Sequence, residues 1–144
     1  MPWSPKKIVV PIDLADEPSD AVEAAFEITG SRQNVHVIYI VPGMTDYAAG
    51  LLLSGVTDEM RVADAEKVLQ NRLRRGKYDG VQTTALIGDP GSQIVAFAEK
   101  VEADLIVISS HGRQGLHHLL IGSVAERVVR LAKCPVLVIK QPAR

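Results

Sequence analysis

Five short runs of apolar, largely β-branched residues recur along the chain, at 6–12 (KKIVVPI), 35–41 (VHVIYIV), 81–87 (VQTTALI), 105–109 (LIVIS) and 134–140 (CPVLVIK). The first is near-continuous rather than alternating, the pattern of a strand covered on both faces, and the second is β-branched and buried in character. Pro11 falls near the end of the first run, where a missing N–H is tolerated. Between the runs the period changes. Residues 16–30 carry Pro18 near a helix start, apolar Ala21, Val22, Ala25, Phe26 and Ile28 at helical spacing, and Gly30 as a stop. Residues 57–76 regain that period through Ala65, Val68, Leu69 and Leu73, with arginines and a glycine at the end a helix favours. After Gly88, Asp89 and Pro90 read as cap and first turn of a third helix with its stripe at Ile94, Val95, Phe97, Ala98 and Val101. A fourth helix begins at Ser123, with Val124, Val128, Val129 and Leu131 expected inward. Residues 42–56 hold three glycines and no sustained period, which predicts a loop or a broken helix. Within it Tyr47 and Leu51, Leu52 and Leu53 suit a lid over a ligand and a helix packed on the sheet equally well.

Strands alternating with helices predict an α/β fold, because each parallel strand pair needs a crossover, nearly always right-handed. No linker, repeat or low-complexity tract divides the chain, so residues 1–144 form one domain. A chain of 144 residues, 47% of them hydrophobic, is long enough to bury roughly 68–70% of its unfolded surface around one core. The formal charge of −1 gives no broad basic face for a polynucleotide, and nucleic acid is excluded as a partner. The lone cysteine, Cys134, makes no internal disulfide and points to a reducing compartment. It lacks the nearby His and acidic partners of a nucleophile and reads as structural. The N-terminus has lysines after two prolines and then only a short apolar run, which is neither a signal peptide nor a membrane span. The expectation is a soluble cytoplasmic protein with no membrane partner.

Candidate chemistry gathers at the strand exits. In an open α/β sheet, ligands bind beyond the carboxyl ends of strands whose helices diverge to opposite faces. The first run ends in Pro11, Ile12 and Asp13, the third in GDPG from Gly88, and the fourth opens into SSHGRQGLHHLLIGS from Ser109 to Ser123. Glycines there let backbone N–H groups approach an anion, and Gly122-Ser123 falls at the amino end of a helix, where free N–H groups and the helix dipole favour negative charge. Two or three charge-assisted contacts of roughly 1.5–3 kcal/mol each amount to micromolar binding. The spacing is neither that of a Walker loop nor that of a dinucleotide fingerprint. Blander roles stand beside these: Asp13 as a turn cap, Ile40 as plain core, Gly122-Ser123 as a loop glycine and helix cap, His111 satisfying backbone groups, Arg113 as a solvated side chain. His117 and His118 are adjacent and have no third ligand at a metal-binding spacing, so no metal site is assigned.

SHGRQGLHHLLIGSVAERVVRLAKCPVLVIK, with KKIVVPID at the front and GDP before the third helix, resembles the universal stress protein family over essentially the whole chain. The resemblance implies a doubly wound five-stranded parallel sheet in the order 3-2-1-4-5 with helices on both faces, homodimers through the C-terminal strand, and in one subclass ATP bound through G-x2-G-x9-G-[ST]. In this chain the second glycine of that motif is Gly112, the spacers run from Arg113 to Ile121, and the final pair is Gly122-Ser123. Ser109 stands where the first glycine belongs; if that glycine serves a left-handed turn, serine costs roughly 1–2 kcal/mol. By resemblance Asp13, led in by Pro11 and Ile12, and Ile40 flank the adenosine, Gly88 lies nearby, and Gly112, Arg113, Gly122, Ser123 and Val124 meet the phosphates. The implied function is a regulatory homodimer binding ATP, with or without magnesium, or AMP or another adenine nucleotide. The alternative is a dimeric stress-associated interaction protein that holds no nucleotide. An ATP-consuming enzyme has little support, since no Cys-His, Ser-His-Asp or paired-carboxylate set stands beside the loop.

Overall fold

The computed structural model describes residues 3–14, 20–43, 55–75, 77–110 and 122–140. Strands β1 (Ile8–Pro11), β2 (Val35–Val41), β3 (Gln82–Ile87), β4 (Leu105–Ser109) and β5 (Val136–Ile139) alternate with helices α1 (Asp20–Thr29), α2 (Asp58–Arg75), α3 (Pro90–Lys100) and α4 (Ser123–Leu131), and a 3-10 turn at Arg32–Asn34 precedes β2. All strand pairs are parallel, in the order β3-β2-β1-β4-β5. The expected doubly wound sheet is therefore the observed one.

The continuous apolar runs divide between two layers because successive side chains leave a strand on opposite faces. Ile8 and Val10 of β1, Val35 and Val37 of β2 and Leu105 and Val107 of β4 pack with α1 and α2 through Ala21, Val22, Ala25, Leu69 and Leu73. The alternate residues, Val9, Ile38, Ile40, Ile106 and Ile108, pack with α3 and α4 through Ile94, Phe97, Ala98, Ala125 and Val128. Burying each large aliphatic side chain is worth about 1.5–3 kcal/mol, so both cores stabilise the central strands.

Three expectations are corrected. Strand β1 starts at Ile8 rather than Lys6, because the N–H groups of Lys6 and Lys7 donate instead to Asp104 Oδ2, at 3.0 and 2.9 Å. On α2 the buried positions are Leu69 and Leu73, one turn apart, whereas Val68 lies about 100° round the helix from Leu69 and is exposed. On α4 only Val128 of the four expected residues is buried; Ala125 joins it, and Val124, Val129 and Leu131 are exposed. Several apolar stripes were available on that short helix, and contact with α3 selected the one through Ala125 and Val128. The N-terminal part of α1's expected span, with Pro18, the lid candidates Tyr47 and Leu51, Leu52 and Leu53, and most of the loop after Ser110 lie outside the described residues.

Candidate ligand site at the carboxyl edge of the sheet

The chain turns from one face of the sheet to the other between β1 and β4: α1 and α2 cover the face on which β1 is left, and α3 and α4 cover the opposite one. The carboxyl ends of these two neighbouring strands thus form the topological switch point, the position where this architecture binds ligands. Counting forward from the pairs Pro11↔Ile38 and Val9↔Ile106 puts Asp13 at the level of Ile40 on one side and Ser110 on the other. The Ile12 N–H donates to the Ile38 carbonyl at 2.9 Å, extending the ladder one step beyond Pro11. Asp13 and Ile12 are half-buried, and Pro11 is buried. Ile40 has its side chain in the core with α3, so its plain-core role holds and any ligand contact there falls to the strand's exit rather than to a free side chain.

The third strand delivers a glycine to the same edge. Gly88 has φ of +135°, a conformation L side chains rarely adopt, and its N–H donates to the Val41 carbonyl at 3.0 Å. A Cβ on it would also lie 3.2 Å from Gln93 Cγ. Asp89 then caps α3 as expected: Oδ2 accepts from the Ser92 N–H at 3.0 Å, with Pro90 as the first helical residue. Those hydrogen bonds, from the Ser92 backbone first and its hydroxyl second, hold the Asp89 carboxyl below its ordinary range.

The fourth strand ends in Ser109, which is the last residue of β4. It pairs with Ile139 of β5 and is extended, so the cost of a left-handed conformation does not arise. Ser110 is buried; its N–H donates to the Ile139 carbonyl at 2.9 Å and its carbonyl accepts from the Gly122 N–H. That second bond sets the amino end of α4 against the end of β4. Gly122 caps α4 with φ of −73° and ψ of 162°, and being glycine it supplies no side-chain cap. Any residue adopts that conformation, so backbone geometry alone does not call for glycine. The first N–H groups of α4 carry partial positive charge and lack an intrahelical acceptor. Ser123 and Val124 in this turn are exposed. Gly112 and Arg113 lie outside the described residues.

Two arginines escaped the reading of the sequence because nothing local marks them. Arg72 of α2 donates to the Leu14 carbonyl, one residue beyond Asp13. Arg61 donates through Nη2 to the Pro42 carbonyl at 2.7 Å and lies 3.5 Å from Asp58. Both tie α2 to a strand exit at this edge. Cys134 stands elsewhere, and burial pushes its thiol up, away from the reactive thiolate. Among the described residues, no cluster of three or more His, Cys, Asp or Glu side chains is arranged to hold a metal, and no helix is long and apolar enough to cross a membrane.

The universal stress protein family profile matches residues 5–140. The chain belongs to this family. The universal stress protein MJ0531 of Methanocaldococcus jannaschii is 38% identical over 145 residues, covering 96% of this chain and 84% of the relative. A universal stress protein from Archaeoglobus fulgidus, solved in complex with dAMP, superposes with a TM-score of 0.55 at 25% identity and covers 96% of this chain and 100% of its own. Another, solved in complex with cAMP, gives a TM-score of 0.61 at 21% identity, covering 97% and 100%. Universal stress proteins of this architecture thus include members that hold an adenine nucleotide.

Proposed function

We propose that this universal stress protein is a cytoplasmic regulatory homodimer that binds an adenine nucleotide, ATP foremost, at the switch point between β1 and β4. The observation that carries the reading is the Gly122–Ser110 hydrogen bond, which presents the amino end of α4, begun by a glycine, at the switch point of the sheet. In this reading Pro11, Ile12 and Asp13 with the end of β2 at Ile40 flank the adenosine, and Gly88 lies beside it. Ser109, Gly112, Arg113, Gly122, Ser123 and Val124 surround the phosphates, with magnesium as an optional counter-ion. The dAMP and cAMP complexes of the family members support an adenine ligand. The protein acts by holding nucleotide rather than by turning it over.

Equilibrium binding of labelled ATP, AMP and adenosine to the purified protein tests this. The expected result is micromolar ATP affinity, on the order of two or three charge-assisted contacts, and its loss in Gly122→Val. Valine is compatible with the backbone angles at that position, so the variant is expected to fold, which a thermal melt checks, while its branched side chain stands where phosphate must approach the helix N–H groups. Folded wild-type protein that binds none of the three at millimolar concentration would overturn the proposal in favour of the nucleotide-independent dimer.

A further inference from the structure

The GDPGS segment after β3 is joined to α4 by one side chain. Arg127 runs across Gly91 so closely that a Cβ there would lie 2.8 Å from Arg127 Cδ and 3.1 Å from Cγ. Its Nη2 donates to Ser92 Oγ at 3.1 Å, and its Nη1 lies 3.4 Å from Asp89 Oδ2. The same Oδ2 accepts from both the Ser92 hydroxyl, at 2.8 Å, and the Ser92 N–H. Every donor and acceptor in this group has one consistent direction: the arginine gives to the serine, and arginine and serine both serve the carboxylate.

Its ends are the two parts of the candidate site that come from different elements. Asp89 directly follows Gly88, whose N–H donates to the Val41 carbonyl, on the side that the nucleotide reading gives to the adenosine. Arg127 stands four residues after Ser123, one turn down α4 from the phosphate side. We infer that Arg127 is a positioning residue for the nucleotide site, a clasp that sets the distance between the Gly88 turn and the amino end of α4. The inference rests on the nucleotide reading above and extends it to a residue that touches no ligand. As a contribution to stability the clasp is slight, because Arg127 and Asp89 are both largely solvent-exposed and such pairs are screened. Geometry is what it supplies: Gly91 lacks the side chain that would hold α4 away from α3.

Three variants separate position from charge and from folding. Arg127→Ala removes the clasp; Arg127→Lys keeps the charge but replaces the planar fork by a single ammonium group. Gly91→Ala keeps the arginine and displaces it, while improving intrinsic helix propensity. Titration calorimetry with ATP and with adenosine, alongside thermal melts, is the measurement. Arg127→Ala and Gly91→Ala are expected to weaken ATP binding roughly tenfold, to change adenosine binding much less, and to melt close to wild type; Arg127→Lys falls between. ATP binding equal to wild type in both alanine variants overturns the clasp and leaves the nucleotide site standing. Loss in Arg127→Ala but not in Gly91→Ala also overturns it, since charge alone would then account for the effect. A wild-type protein that binds no adenine nucleotide overturns the nucleotide site itself and the clasp with it.

Discussion

His36 illustrates how a single residue's chemistry is set by its layer. It occupies the β2 face that packs on α3, where its ring meets Phe97 edge-on with centroids 4.7 Å apart and Nε2 lies 2.7 Å from Thr84 Oγ1. Burial lowers its pKa below the ordinary 6.5. The unfolded chain therefore takes up the proton first as pH falls. The stability of the neutral, buried ring is intact above the unfolded value and declines as pH drops through it toward the lowered folded value. Replacing His36 by Phe should flatten the fall of unfolding free energy as pH drops through the unfolded value of 6.5, measured by denaturant titration. An unchanged slope would show that other groups carry it. Ser109 makes a different point at this scale: extended and paired in β4, it departs from the family's glycine without the backbone penalty a turn would impose.

At the scale of elements, where β1 begins is decided by a side chain almost a hundred residues away. Asp104 Oδ2 accepts from the N–H groups of Lys7 and Lys6, and those bonds, in that order, hold its carboxyl below the ordinary range. The Asp104 N–H in turn donates to the Lys7 carbonyl at 2.8 Å. A lowered folded pKa contributes stability that is present above the unfolded value of 3.8 and disappears as pH falls through the folded one. Asp104→Asn should destabilise the protein modestly at neutral pH, the site being exposed, and should match wild type in strong acid. Parallel melting curves from neutral pH to acid distinguish this from a simple packing loss, which would persist in acid. The two ends of α2 show a related dependence: Arg61 and Arg72 reach back to the exits of β2 and β1, so the crossover helix also holds the carboxyl edge of the sheet.

For the whole molecule, β3 and β5 are the two edges of the sheet, and β5 is the one assigned to the proposed homodimer. A strand at the end of a sheet leaves backbone N–H and C=O groups free for another chain, and β5 presents Leu137 outward with 38% of its surface exposed. Val138 is the less informative position to alter, because it packs on the core beneath α3 and α4 and a charge there would damage the protomer itself. A two-fold interface through residues 135–140 repeats every lesion twice. For the homodimer proposed above, Leu137→Lys is therefore expected to give a folded monomer in sedimentation velocity where the wild type sediments as a dimer. A variant that sediments as the wild-type dimer would place the interface elsewhere.

Much of this was legible in the residues themselves. The bounds of β2 and β4, the stop at Gly30, the Asp89–Pro90 start of α3, the parallel sheet, the places of Asp13, Gly88 and Ser109 at strand exits and of Gly122 at the start of α4 follow from local periods, turn chemistry and alternation. Those signals act within a few residues, and the structure agrees with them. The family motif added the strand order, which periodicity does not encode. Tertiary structure alone decided which apolar stripe of α4 turns inward, where β1 begins, that Ser109 remains in its strand, and that Arg61, Arg72 and Arg127 each cross to a distant segment. The reason is common to all of them: several local solutions were nearly equal in energy, and the partner that separated them arrives only when the chain packs.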